Sequence, residues 1–468
     1  MHPLLATEPG ASAHPVWLVT EETWGAVERE LAGPAARFAA AQGFEPKPGH
    51  HCLLPKEDGS LAGVLFGIDP ASAKRVDPFL IGKLPTLLPE GTYRFAGGCA
   101  DPHLATLAWL LGSYGFTRYR AKPEKPVRLV PPHGADAAEV AAVADAVAMG
   151  RDLVNTPAND LGPDGLEAAT RRLADKHGAE IEVVTGEDLL KQNLHMIHAV
   201  GRASATPPRL IDMRWGAGPR VALVGKGVTF DTGGVNVKPE AAMLLMKKDM
   251  GGAAAALALA DMIMGLDLPL RLRVLIPAVE NAISGASFRP GDVLQSRKGL
   301  TVEIGNTDAE GRLILADALA LADEDEPELV VDFATLTGAA RVALGPDLPA
   351  CFTDDDALAA DLDRLGAAVN DPVWRLPLWP PYAAMLESKI ADINHISSGP
   401  FAGSVTAALF LRRFVTAAKA YVHFDLFAWN PKPQPGRPEG GEVQVARLIY
   451  ALLKERYGAR PGRTVADR

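Results

Sequence analysis

The run Asn306-Thr307-Asp308-Ala309-Glu310-Gly311-Arg312-Leu313 places two carboxylates and a guanidinium within the five residues Asp308 to Arg312. It lies between a strand-like run, Thr301 to Ile304, and a helix-like run, Leu313 to Leu321. A Gly-containing turn at that junction can aim all three charged groups into one cleft. Charges gathered in this way need a partner, and divalent metal ions are the obvious one. A simpler reading stands beside it: Asp308 as a helix N-cap with Glu310 in the first turn.

Upstream, Lys226 is bracketed by Gly225 and Gly227, which would also suit a loop cradling a phosphate. The full Gly-x-x-x-x-Gly-Lys-Ser/Thr spacing is missing, so a nucleotide P-loop is not expected. Asp249 precedes a helix expected from Gly252 to Met264 and could complement the positive end of its dipole. Arg312 has the planar fork that holds small planar anions, and a salt bridge to a neighbouring carboxylate is its plainer role.

The eight residues from Asn306 to Leu313 match the signature of the leucine aminopeptidase (cytosol aminopeptidase) family at every position. Val224 to Gly234 resembles that family's Lys-and-Asp metal loop, Lys238 follows at the family's spacing, and Lys248 to Gly252 resembles its third ligand segment. Asp332 to Gly338 (DFATLTG) resembles the substrate-side loop. The resemblance runs from about Arg151 to the C-terminal helix and is not expected before about position 130. It implies two divalent metal ions, manganese or zinc, held by Lys226, Asp231, Asp249, Asp308 and Glu310. Asp231 and Glu310 would bridge the ions, Asp249 would serve one and Asp308 the other. Four carboxylates in one cleft repel unless cations compensate them, and two divalent ions do so. An ammonium has no lone pair, so a ligating Lys226 must be neutral. The resemblance gives Lys238 the role of stabilising an oxyanion and Arg312 that of holding a bicarbonate that acts as base. It places Met246, Asn306, Thr335, Leu336 and Gly338 around the substrate. The implied enzyme is a metallo-aminopeptidase that removes the N-terminal residue of short peptides. The implied assembly is a homo-hexamer.

The rest of the chain sets the frame. Its 468 residues are 48% hydrophobic and 22% charged, a globular composition with room for more than one domain. A net charge of −10 disfavours nucleic acid as a partner. Cys52, Cys99 and Cys351 are odd in number and scattered, which suits a reducing compartment. The longest apolar run, Ala253 to Leu259, is too short to span a membrane, and the N-terminus lacks a signal-peptide pattern, so a cytoplasmic protein is expected. The acidic runs Asp323 to Glu328 and Asp354 to Asp356 read as loops and helix starts. His50-His51 would point to opposite faces of a strand, and Cys351 has no evident base.

Residues 1–130 read as a small accessory α/β domain with a hairpin turn at Glu57-Asp58-Gly59. Residues 131–155 read as linker and bridging helix, the Pro-rich stretch Lys122 to Gly134 belonging to the connection. Residues 156–468 read as the catalytic domain. There, strands expected at Arg220 to Val224, Leu272 to Ile276, Leu329 to Phe333 and Tyr421 to Leu426 alternate with helices at Gly252 to Met264, Leu313 to Leu321, Ala357 to Val369 and Ser404 to Ala418. That alternation predicts an α/β fold, a mostly parallel sheet with helices on both faces, with the motifs at strand ends. Two rival functions remain: a two-metal phosphoesterase, and a non-enzymatic nucleic-acid-binding or scaffold member of the fold.

Overall fold

A computed structural model describes residues 2–6, 13–31, 33–74, 76–121 and 125–458. The chain forms two compact units, Met1–Ala148 with Lys432–Glu439, and Met149–Pro431 with Gly440–Arg468. The division falls inside the helix Ala137–Asn155.

The first unit carries a five-stranded sheet in the order His51–Pro55, Leu61–Gly67, His14–Val19, Gly91–Ala96, Val127–Leu129. The expected hairpin is present, with Cys52 opposite Leu65. Helix Glu21–Glu30 starts at a Thr20 capping box, which satisfies backbone donors that the helix end leaves open. The linker expectation needs correction. Val127 and Leu129 are buried and pair in parallel with Gly91–Tyr93. Prolines at 126 and 131 kept this strand to three residues, too short to show a pattern in sequence. Residues Lys122 to Glu124 of the expected linker lie outside the described residues. His50 stacks on Phe44 with ring centroids 5.4 Å apart, and its Nδ1 lies 3.0 Å from the Glu45 carbonyl oxygen.

The second unit is built on a sheet in the order Trp374–Arg375, Ala350–Phe352, Tyr421–Asp425, Leu329–Ala334, Arg220–Gly225, Arg271–Asn281, Arg209–Trp215, Glu180–Thr185, with Gly227–Asp231 also paired to Arg271–Asn281. The centre is parallel. Its strands read as continuous apolar runs because helices cover both faces. Two antiparallel strands, Arg209–Trp215 and Glu180–Thr185, extend one edge and were not anticipated. Glu180–Thr185, the edge strand, alternates exposed and half-buried residues, whereas the first five residues of Arg209–Trp215 are buried.

Helix Gly251–Gly265 is buried along nearly its whole length. Its small residues let it lie against the sheet: a Cβ on Gly252 would fall 2.0 Å from the Phe333 carbonyl oxygen, and one on Gly225 would fall 2.6 Å from the Ala253 Cα. Helix Gly311–Asp323 buries Leu313, Ile314, Leu315 and Leu319 against the other side. The helix expected from Ser404 to Ala418 ends earlier, spanning Gly403–Arg412. The Asp323 carboxylate accepts the backbone N–H groups of Thr416, Ala417 and Ala418 at 2.7–2.9 Å, which holds that segment in a turn. The acidic runs behave as loops and caps: Asp325 pairs with Arg273, Glu328 with Lys419, and Asp355 caps helix Asp356–Ala368. Among the described residues no helix is long and apolar enough to cross a membrane.

Candidate metal centre

The strand Arg220–Gly225 delivers Lys226 to the C-terminal end of the sheet. The Lys226 N–H donates to the Phe333 carbonyl, and its own carbonyl accepts from Ala253 N, both at 2.9 Å. The side chain is thereby fixed between sheet and helix. Gly225 and Gly227 serve this packing, since a Cβ on Gly227 would meet the Pro277 carbonyl oxygen at 2.6 Å. Lys226 is 3% exposed. Its Nζ lies 2.8 Å from Asp249 Oδ2 and 3.0 Å from Glu310 Oε1, and donates to the Thr335 carbonyl at 2.8 Å. Gly311 makes room for it, because a Cβ there would sit 2.5 Å from Lys226 Cε.

The second lysine arrives by a loop. Asp231 ends the strand Gly227–Asp231, and its Oδ1 accepts from Gly233 N and from Asn281 Nδ2, both at 2.8 Å. Gly233 and Gly234 take φ of +89° and +62°, a left-handed turn that suits glycine. That turn brings Lys238 back, with its Nζ 2.7 Å from Asp231 Oδ2 and paired with Asp308 Oδ1. Thr307 stitches the Asp231 loop to the Asp308 loop, its hydroxyl donating to Gly233 O at 2.7 Å and accepting from Asn236 N at 3.0 Å. Asp231, Asp308 and Glu310 consequently offer ligand atoms that lie within 4.8 Å of one another.

The simpler readings of the carboxylates do not describe this geometry. Glu310 stands at the start of helix Gly311–Asp323 but makes no side-chain cap bond. Asp249 accepts from the Thr335 hydroxyl at 2.8 Å and faces Lys226 rather than the helix N–H groups. Arg312 forms no carboxylate pair among the described residues. Its Nη1 donates to the His395 carbonyl at 2.8 Å, and its buried Nε has no partner there.

Four carboxylates thus face two lysines, a deficit of positive charge. Burial, with Asp231 close by, pushes the Glu310 carboxyl up to about 7. Burial raises Asp308, and burial together with Asp249 raises Asp231. For Asp249 burial also pushes upward, but Lys226 overcomes it and holds the carboxyl below its usual range. Burial disfavours both ammonium groups, yet Asp249 and Glu310 keep Lys226, and Asp231 keeps Lys238, above the ordinary lysine range. Glu310 Oε2 is buried with no hydrogen-bond partner among the described residues. An unpaired buried carboxylate oxygen is costly, and a cation would satisfy it. Carboxylate oxygens with one amine form a donor set that suits a divalent cation.

Of the expected substrate-side residues, Thr335 touches both Lys226 and Asp249. Asn306 accepts from Asp308 N at 2.8 Å. Leu336 is half-buried next to Thr335 in its loop, Gly338 opens helix Gly338–Leu344, and Met246 opens the 3-10 turn Met246–Met250 that carries Asp249. Cys351 is buried, and burial pushes its thiol up to about 12, the reverse of the lowered value an activated thiol needs.

Four supporting residues have roles here that residue type and spacing do not assign. Asn281 and Thr307 hold the Asp231 loop. His395, 0% exposed, donates from Nε2 to the Asn306 carbonyl at 2.8 Å while its own carbonyl receives Arg312. Burial and nearby Arg312 push its ring down to about 3, so it works as a neutral brace. Asp425 accepts from Leu336 N at 3.0 Å, from Thr337 N at 3.1 Å and from the Thr337 hydroxyl at 2.6 Å, clamping the loop that carries Thr335. Thr307 lies within the signature run Asn306 to Leu313, and Asn281 is a polar residue at a strand's C-terminal end; His395 and Asp425 carry no such local signal.

Residues 148–450 match the model of the cytosol aminopeptidase family, catalytic domain. Residues 15–132 match the M17 aminopeptidase N-terminal domain, so the kinship reaches further toward the N-terminus than the motifs alone suggested. The probable cytosol aminopeptidase of Roseiflexus castenholzii is 42% identical over 366 residues, covering 74% of this chain and 75% of its own length. The crystal structure of a cytosol aminopeptidase from Coxiella burnetii is 43% identical with a TM-score of 0.92, over 97% of this chain and 99% of that one. The bottromycin maturation enzyme BotP, solved in complex with Mn, is 34% identical with a TM-score of 0.85, over 95% of this chain and 100% of that one. With its ligand-bearing loops gathered at one end of the sheet and both of its regions matched, this chain belongs to the cytosol aminopeptidase family of metallo-aminopeptidases.

Proposed function

We propose that the protein is a dinuclear-metal aminopeptidase that removes the N-terminal residue from short peptides in the cytoplasm. One observation carries the reading: four carboxylates converge on two buried lysines, and Glu310 keeps an oxygen with no protein partner. Lys226, Asp231, Asp249, Asp308 and Glu310 would hold the ions. Two such ions supply the Lewis acidity that binds a free amine, polarises a peptide carbonyl and acidifies a water.

The chain's own groups do the rest. Lys226 must give up its proton to serve as a ligand, and the Thr335 carbonyl is placed to accept one of the remaining N–H bonds. Lys238 stays charged, as Asp231 favours, and offers its N–H groups to an oxyanion forming in the cleft. Arg312, with its unpartnered Nε, would hold a small anion such as bicarbonate, which would supply a general base. Thr335, Leu336, Gly338, Asn306 and Met246 wall the substrate's first residue. The boundaries 1–130, 131–155 and 156–468 are proposed for the accessory, linking and catalytic parts. A homo-hexamer is proposed from family resemblance.

The test is turnover of leucine p-nitroanilide beside p-nitrophenyl phosphate, with metal analysis, for the wild type and Glu310→Ala. Anilide turnover that falls with bound metal in the variant is expected. A variant that keeps two metals per chain and near-normal turnover defeats the proposal.

A further inference from the structure

A cavity of about 400 Å³ opens at the end of the central sheet away from the metal centre. It is lined by residues that begin the parallel strands, Arg220 and Arg271, and by Arg214 and Trp215 at the close of an antiparallel strand. Lys226 follows directly after the six-residue strand that Arg220 begins, so cavity and metal centre lie roughly 20 Å apart along it.

The register concentrates positive charge here. Arg214 sits directly opposite Arg273 on neighbouring strands, and Arg271 directly opposite Arg220. Like charges facing each other across strands destabilise a sheet. The first pair is compensated: Asp212 lies 2.8 Å from Arg214 and 2.7 Å from Arg273, and Asp325 lies 2.7 Å from Arg273. The second pair is not. Arg220 reaches only the backbone carbonyl of Asp325, and the Arg271 guanidinium has no partner among the described residues. The remaining acidic group on the wall is Glu180, opposite Arg214.

The rim is built to keep its shape. Gly216 and Gly218 take φ of +70° and +128°, and a Cβ on either would fall 2.3–2.6 Å from the carbonyl oxygens of Leu270 and Pro269. The turn before Arg220 is thus pressed onto the turn before Arg271, which holds the two arginines side by side. A chain with net charge −10 has placed four guanidinium groups in one concavity and left two without a carboxylate.

We propose that this cavity is a binding site for a small phosphate-bearing anion, held by Arg220 and Arg271 and distinct from the metal centre. Planar guanidinium forks are suited to bidentate contact with phosphate oxygens. The volume lies within the range of small-molecule pockets. Trp215 among the lining residues adds an aromatic group against which a nucleobase could stack. The phosphate group is the shared chemistry, and its source is either inorganic or a nucleotide.

The test is calorimetric titration of the metal-loaded enzyme with inorganic pyrophosphate in one arm and ADP in the other. The proteins are the wild type, Arg220→Ala/Arg271→Ala and Arg271→Lys. Binding to the wild type is expected to weaken about a hundredfold in the double variant, since two charge-assisted contacts are lost. It should weaken about tenfold in Arg271→Lys, which keeps the charge but not the fork. Hydrolysis of leucine p-nitroanilide without added anion should be unchanged in both. Equal binding in the two arms assigns the site to the phosphate group alone, and tighter ADP binding assigns it to a nucleotide. Either supports the proposal. No binding to the wild type overturns it. So does binding that persists undiminished in the double variant, which would place the anion on the metals.

Discussion

Removing the Asp425 carboxylate should loosen the metal centre without touching a ligand. In Asp425→Ala, the Leu336 and Thr337 N–H groups and the Thr337 hydroxyl lose their acceptor. Each unmet buried donor costs about 1–3 kcal/mol. Leu336 and Thr337 are half-buried, so water can reach them in part, and the sum should fall near 3 kcal/mol. That is less than a domain's usual stability of about 5–15 kcal/mol, so the loop should open before the domain unfolds. Opening carries away Thr335, whose carbonyl receives Lys226 and whose hydroxyl reaches Asp249. Support of this kind is worth roughly 10–100-fold in metal affinity. Chelator competition on the purified variant measures it, with urea unfolding in parallel. Burial already raises the Asp425 carboxyl toward its neutral form, so Asp425→Asn, which keeps an acceptor oxygen, should stay within about threefold of wild type. If Asp425→Ala loses stability but binds metal as the wild type does, the clamp does not position the ligands.

The lysines should separate by substitution: Lys238→Arg keeps two metals and some turnover, while Lys226→Arg loses metal at one site, and equal metal content in both would count against distinct roles. Arg312→Ala should keep its metals but lose about 10²–10⁴ in rate, as for a lost general base. Added bicarbonate should speed the wild type in degassed buffer and barely affect that variant; loss of metal instead would make Arg312 a structural residue. A fourth expectation concerns pH in protein stripped of metal by a chelator. Glu310 is raised to about 7 from 4.5, so the folded state holds its proton more tightly than the unfolded state does. The stability this contributes is complete below about pH 4.5 and is lost as pH rises through about 7, a change on the order of 3 kcal/mol. Urea unfolding of the stripped protein at pH 5.5 and pH 8 reads it, and a wild type no less stable at pH 8, or a Glu310→Gln variant with the same slope, contradicts it.

The sequence disclosed the centre where chemistry is local. Asp308, Glu310 and Arg312 sit within one turn, and Lys226 and Asp231 at the ends of two successive strands five residues apart, so residue type and spacing carry the information. The braces were hidden because their partners are remote. Asp425 lies 88 positions from Thr337, and Arg312 donates to a carbonyl 83 positions on, distances no local pattern spans. The long central strands and buried helices were legible because burial on every side makes them uniformly apolar. Glu180–Thr185 was not, because an edge strand alternates charge with apolar residues, and Val127–Leu129 was not, because prolines limit its length. The helix expected to run on to Ala418 was overextended because the Asp323 clamp that turns the chain is visible only in space.

The seam between helix Gly251–Gly265 and the sheet has a consequence for how such an enzyme can change. A Cβ would land 2.0 Å from a carbonyl oxygen at Gly252, 2.3 Å from Ala428 Cβ at Gly251, and 2.5 Å from Lys226 Cε at Gly311. On this side Gly252 is pressed against backbone, and Gly251 and Gly311 against the side chains of Ala428 and Lys226, so none of the three has room for a side chain of its own. A saturation library should find these positions nearly silent of viable variants. Mutational freedom is left to half-buried Met246 and Leu336, proposed to wall the substrate, which have side chains to exchange. A lineage built on this scaffold can therefore diverge in which residue it removes from a peptide far more readily than in how it holds its metals.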